Sequence, residues 1–409
     1  MIQSSAIYYA LFLSIVMGSI LGSMVLLSGL NKQLINHVEL PVRLYENAES
    51  GLNYGMVYHQ EIPWNSETRL NLFDGVMDSV TVIKRRWGMF TSIESTASHN
   101  GQQQSLTAFV GNEIDESVSL FVVDNGRQLA VCGDTRLEGN CFVPAAGLKR
   151  AYIAGKNYQG KQLIYGSKHR SEKQLPAVSQ ASLKQVKPPM SRLELWENQK
   201  DTIKAEFEDP LQVLAESTVS LTHQVVDGAV WIEAKDSVFI GAGCQLESTV
   251  IRANVIYVES GFQGTAQLIA RERITLGEKA LLKYPSVVAV VEDEPLEYPS
   301  QMILKSTAQV IGTVFLIPAN NDFRRMPELI IEEEAEVDGL VYNKGKTQLR
   351  GTVNGSLYTS KFFLKTTSSS YENHILDGKV LNQLPNDFVC VDLFEMNDPM
   401  PLTQMQLIR

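Results

Sequence analysis

Apolar and polar residues follow three rhythms along this chain. The first is an unbroken apolar run. Ala6–Leu30 reads AIYYALFLSIVMGSILGSMVLLSGL, 25 residues without Asp, Glu, Lys, Arg or His. About 20 apolar residues, at about 1.5 Å each, cross the roughly 30 Å hydrocarbon core of a bilayer. The run is longer than the core of a cleaved signal, and Met1–Ser5 carries no Lys or Arg. It predicts a retained single-span anchor over residues 1–30. The second rhythm is helical. Leu34, Val38, Val42, Tyr45, Ala48, Leu52 and Met56 recur at steps of three and four. They predict an amphipathic helix over 31–62, bent near Pro41 and closed by Pro63.

The third rhythm has a period of 18. Rows beginning at residues 237, 255 and 273 place Val238, Ile256 and Ile274 in one column. Ile240, Val258 and Leu276 fall in a second, and Ile232, Val250 and Leu268 in a third. The phase returns with Met302, Leu304 and Val314, and again with Leu329, Ile331 and Val341. Val, Ile and Leu columns separated by Gly, Ala and Ser suit strands that stack about 4.8 Å apart, one turn on the next. A turn of about 18 residues fits a right-handed parallel β-helix, expected over 219–370.

The remaining stretches are read around these three. Residues 63–131 predict a small β-rich unit, with strands at Val80–Ile83, Trp87–Ile93, Ser105–Val110 and Val118–Val123. Asp124-Asn125-Gly126 is a turn signal joining Val118–Val123 to Gln128–Cys132 as a hairpin. Lys84-Arg85-Arg86 reads as a solvated strand edge. Residues 132–170, with regularly spaced glycines, predict the first turns of the β-helix. Residues 171–218 read as an insertion or lateral cover with a helix over Leu193–Phe207, and 371–409 as a cap for one end of the stack. The fold class expected is therefore mainly β: an N-terminal helix, a small α+β unit, and a right-handed parallel β-helix with insertions.

Net charge is −10, which repels phosphate backbones and argues against nucleic-acid binding. Four cysteines have no C-x-x-C spacing; Cys132 and Cys141 are the pair close enough in sequence to bridge, the alternative being four reduced thiols. The six histidines, His37, His59, His99, His169, His223 and His374, have no metal-pair spacing, and no nucleophile elbow, P-loop or dinucleotide fingerprint occurs. The acidic run Glu332-Glu333-Glu334 with Glu336 and Asp338 reads as solvated exterior. These observations predict no catalytic site, no cofactor and no metal. Ser14, Gly18 and Gly22 lie four residues apart on one helix face, a spacing that lets two helices approach closely in lipid.

Two resemblances add to this reading. The apolar helix followed by Glu46-Asn47-Ala48-Glu49-Ser50-Gly51-Leu52 resembles the N-terminal part of PilX-type minor pilins and pilin-like secretion subunits. The basic leader and the mature-helix Glu of classical prepilins are missing. The repeat over about 219–365 resembles the cores of bactofilin-like scaffolds. The resemblances imply an anchored, pilin-like envelope subunit with a β-helix scaffold or adhesive surface. Its body would lie outside the cytoplasm, and its partners would be the membrane and other envelope subunits or itself. Two alternatives stand beside it: an anchored polysaccharide-binding or polysaccharide-cleaving β-helix protein, and a membrane-tethered polymerising scaffold.

Overall fold

The protein is mainly β with one long apolar helix at its N-terminus. The computed structural model describes all residues except 1–2, 35–37, 73–78, 116, 180–182, 184–185, 189–191, 198–199, 321, 323, 386, 396–399 and 409. His37 lies outside the described residues. The chain divides into two compact units. One comprises Met1–Arg85, Ile93–Ala108 and Leu407–Arg409; the other comprises Arg86–Ser92 and Phe109–Gln406.

The first unit begins with helix α1, Gln3–Leu34, and helix α2, Leu40–Val57. Pro41 lies in the first turn of α2, where its missing N–H has no helical partner to lose. The predicted bend near Pro41 adjoins residues 35–37, which lie outside the described residues. Strands β1 (Glu67–Leu70), β2 (Ser79–Trp87), β3 (Phe90–His99) and β4 (Gln102–Glu113) follow one another across a sheet. β1 runs antiparallel to β2, with Glu67 opposite Ile83 and Leu70 opposite Val80. Gly88, at φ +59°, turns β2 into β3, so the strand expected at Trp87–Ile93 straddles a turn. Asn100 and Gly101, both at positive φ, turn β3 into β4 as an Asn-Gly hairpin turn does.

The second unit is built from three ladders of parallel strands. In one ladder Val238, Ile256, Ile274, Met302 and Leu329 are successive partners, as are Ile240, Val258, Leu276, Leu304 and Ile331. All ten are buried. In the second ladder the inward column runs Val213, Ile232, Ile251, Leu268, Val288, Val314, Val341 and Leu357. Val250 is displaced from the predicted column: it pairs with Trp231 and Gln267 on the outer side, and Ile251 takes the inward place. The spacing here is 19 and then 17 residues, which a strict period of 18 averages over. The third ladder passes through Val226, Leu246, Leu282, Val310, Val337 and Val353. Long strands such as Glu336–Leu349 turn corners and serve two ladders, tying them into one closed, largely parallel sheet.

Corners demand small residues. Gly312, Gly339 and Gly355 are successive partners at φ +145°, +141° and +129°. A Cβ on Gly339 would lie 1.9 Å from the carbonyl oxygen of Gly312.

Several sequence expectations are corrected by strand order. Leu193–Phe207 is no helix: Arg192–Leu195 and Thr202–Ala205 are strands that open two ladders. Residues 132–170 are not the first turns. Leu120 pairs with Leu357, Cys141 with Leu120, and Lys168 with Cys141, so residues 120–170 continue the ladder beyond its C-terminal strand. The small β-rich unit consequently ends before residue 120. Asp124 Oδ1 accepts from Gly126 N at 3.0 Å, a tight turn, but Leu120–Val122 and Leu129–Cys132 belong to different ladders and form no hairpin. His374–Leu376 and Lys379–Leu381 also stay in the ladders. Val389–Cys390 caps no end; it pairs antiparallel with Asn112 and Glu113 of β4, and Val391 N donates to Thr313 Oγ1 on the ladder's outer side.

Candidate functional site: a bare apolar helix and a stepped helix face

The face of α2 that packs is a row of small residues. Leu40, Leu44, Asn47, Ala48, Gly51, Leu52 and Gly55 are buried. A Cβ on Gly51 would lie 2.3 Å from Ser95 Oγ and 2.4 Å from Val80 Cγ1, and one on Gly55 would lie 2.8 Å from Ile93 Cγ2. The helix backbone can therefore lie directly on β2 and β3. The predicted stripe is displaced accordingly: Leu34, Val38, Val42 and Tyr45 are exposed. Packing against strands selects the smooth face and leaves the bulkier apolar one bare. Of the five motif residues, Ala48, Gly51 and Leu52 are buried, while Glu46 and Glu49 face outward.

Among its described side chains α1 packs against nothing. Ile7–Leu34 is long and apolar enough to cross a membrane or to act as a signal sequence, and none of it is buried. Two of its serines are satisfied within the helix, Ser14 Oγ donating to Leu11 O and Ser23 Oγ to Ser19 O, each at 2.8 Å. That suits lipid, where an unpaired hydroxyl is costly. Gly18 and Gly22 have open space around them.

The cysteines do not form the expected bridge. All four are free and buried. Cys132 and Cys141 belong to separate hydrophobic clusters on different ladders, and their thiols reach different carbonyls, Lys156 O at 3.0 Å and Glu138 O at 3.8 Å. Burial pushes the Cys141 thiol up to about 12.

Lys84-Arg85-Arg86 is not a solvated edge. Lys84 is buried, donates to His59 O and sits 4.5 Å from the Trp64 ring centre. Arg85 pairs with Glu94. In the second unit, burial holds the Arg86 guanidinium below its usual range, partly offset by Asp392.

An aromatic column runs along the outer side of the second ladder. Phe315, Tyr342, Tyr358, Phe121, Phe142 and His169 are successive partners. The rings from Tyr342 onward lie 4.8–6.3 Å apart. Most of the column is covered. Phe394 packs on Tyr342 and Tyr358, Tyr342 Oη donates to Pro176 O at 3.0 Å, and Phe315 through Phe121 are buried. Sugar rings would need open aromatic faces, and these are turned onto one another. Further along the same side, Met89, Leu183, Arg252, Ile269, Arg271 and Asp293 line a recess of about 300 Å³. Arg252 pairs with Asp293 at 3.0 Å and Arg271 with Glu294 at 3.8 Å, and among the described residues no Ser, Cys or His lines it.

The acidic run is dispersed into pairs. Glu332 accepts from Lys305 Nζ at 2.8 Å, Glu333 pairs with Arg350, and Asp338 accepts from Gln309 and Asn354. Burial, and then the Asp338 charge, raise the Glu336 carboxyl above its usual range. Among the described residues no three His, Cys, Asp or Glu gather as metal ligands. Comparison with family models, curated proteins and solved structures finds no match to this chain.

Proposed function

We propose that this chain is a membrane-anchored, pilin-like subunit of a cell envelope whose parallel ladders are successive turns of a β-helix scaffold, with a structural rather than a catalytic role. The observation that carries the reading is the division of labour along the N-terminal helices. α2 is seated through Gly51 and Gly55 on an antiparallel sheet, whereas α1 leaves its whole apolar surface bare. A bare apolar surface of this length is stable only in lipid or against other helices. The ladders supply stiffness, since each strand is hydrogen-bonded along its length and buries a continuous Val, Ile and Leu core. The body lies outside the cytoplasm in this reading, and α1 associates with other envelope helices through Ser14, Gly18 and Gly22.

The test uses full-length protein in its native membrane. Alkaline carbonate should leave it in the pellet, the N-terminus should be uncleaved, and a reporter fused after Arg409 should be active only outside. Replacing Gly18 and Gly22 with Leu should preserve insertion and reduce crosslinking to envelope partners. A mature protein beginning after Leu30, or a reporter active only inside, would overturn the anchored extracytoplasmic reading.

A further inference from the structure

We propose that copies of this chain join end to end, strand Lys168–Arg170 of one copy adding in parallel to strand Arg192–Leu195 of the next. The inference deepens the scaffold reading by naming a partner, a second copy, and needs nothing from the anchor. It begins with the strand order of the second ladder. That ladder opens at Arg192–Leu195, which pairs only with Leu211–Ala215, and closes at Lys168–Arg170, which pairs only with Cys141–Val143. Among the described residues, both outer edges therefore present unpaired backbone N–H and C=O groups. Such edges invite a further strand unless something blunts them.

The side chains at the two edges match. The inward column is apolar from Val213 to Cys141 and ends in a charge at each extremity: Glu194 stands over Val213, and Lys168 stands over Cys141. Carrying the same register from one copy to the next sets Lys168 beside Glu194 and His169 beside Leu195. Leu195 is 68% exposed and Leu193 59%, apolar surface that an added strand would cover. The surroundings are complementary as well. Residues 145–173 hold seven Lys and Arg against one carboxylate, in a chain whose net charge is −10. Residues 192–209 hold six carboxylates against three Lys and Arg. Opposite charge on the two ends steers them together, and like charge opposes the joining of identical ends. The contact is heterologous, so each addition leaves the same two ends free and growth is open-ended.

The experiment is sedimentation of the full-length protein in detergent across concentration and salt, with circular dichroism as the check on folding. Wild type should form a series of oligomers that shortens as salt rises. K168E and E194K should each weaken association about tenfold or more, and the double exchange K168E/E194K should restore it. The milder K168Q and E194Q serve if a charge reversal unfolds the protein. A K168C/E194C variant should oxidise to a ladder of linked chains, because neighbouring strands bring Cα atoms within disulfide range and the native thiols are buried. A monomer at all concentrations would overturn the inference, as would K168C alone linking as efficiently as the pair. Oligomers that G18L/G22L abolishes and K168E leaves intact would overturn it while sparing the pilin-like reading.

Discussion

Replacing Gly339 with Ala tests whether the ladders turn their corners as described. Two costs combine. The residue sits at φ +141°, where an L side chain is strained by about 1–3 kcal/mol. Its Cβ would lie 1.9 Å from Gly312 O, a backbone atom that hydrogen bonding holds in place, and such overpacking costs about 1–3 kcal/mol more. The sum is about 2–6 kcal/mol. The control is Gly126→Ala, also at positive φ (+73°) but with open space around it, where only a strain of about 1–2 kcal/mol applies. Thermal unfolding of the full chain in detergent, followed by tryptophan fluorescence, should fall by about 4–12 °C for the corner variant, at about 2 °C per kcal/mol for a body this large. Hydrogen exchange should locate the damage, with protection lost in Gln309–Ile317, Glu336–Leu349 and Thr352–Lys365 and kept in Val230–Ala234. If Ala at 339 costs no more than Ala at 126, the close approach of the corner backbones is wrong.

Three further outcomes follow from named contacts. Gly51→Leu should push α2 off Val80 and Ser95, costing about 1–3 kcal/mol and exposing Leu40–Val57 to limited proteolysis; unchanged cleavage would refute the seating. All four thiols should react after denaturation without reductant, and Cys141 and Cys390, each pushed up to about 12 by burial, should alkylate slowly in native protein at pH 8; a mass two hydrogens short would restore the bridge. Burial raises the Asp377 carboxyl, but the hydrogen bonds from Lys156 and from Asp134 N outweigh it and leave the group below its usual range. Its contribution is thus present above the unfolded pKa and lost as pH falls through the folded one, so Asp377→Asn, which tolerates the same positive φ, should destabilise at pH 7 and have little effect near pH 2.

How much of this was legible in the sequence differs by element. Val238, Ile256 and Ile274 could be aligned because inward residues of stacked strands must all be apolar, and that constraint repeats. Val250 misled because the outer side of its strand is buried too: Trp231 and Gln267 lie beside it, and Gln267 Nε2 donates to Trp87 O at 2.9 Å. Where both sides of a strand are dry, alternation no longer tells inward from outward. The α2 stripe failed for the opposite reason. Gly51, Gly55 and Asn47 carry no apolar side chain and so add nothing to a hydrophobic period, yet close packing made them the buried face. The Asn100-Gly101 turn carried a plain signal that would have fixed the β3–β4 hairpin. Order along the ladder left no trace at all. Leu120 fits beside Leu357 as well as it would beside any other column residue, so periodicity reveals membership and not sequence of stacking.

The displaced order explains the segment that follows it. Having placed Lys168–Arg170 at one extremity, the chain must begin again at the other with Arg192–Leu195. Twelve strands at about 4.8 Å make a ladder about 53 Å long. The intervening stretch of about twenty residues could reach about 70 Å if fully extended, enough to span that length. Its described contacts progress along the ladder accordingly. Glu172 O accepts from Asp124 N, Pro176 O from Tyr342, and Ser179 N donates to Leu393 O; Leu183 and Lys187 then reach the recess beside Arg252 and Ile269. The polar, proline-containing composition that made 171–191 look like an insertion suits a segment that needs no ladder partners, and its described part includes a helical turn, Leu183 N donating to Ser179 O. The segment also accounts for a column of outward aromatics that is dry. It must lie somewhere along that side, and Tyr342 supplies both apolar surface beneath it and a hydroxyl for its carbonyl. The described contacts of this return passage thus run along the side between the two opposite ends, and among the described residues the ends themselves remain the bare edges of the ladder.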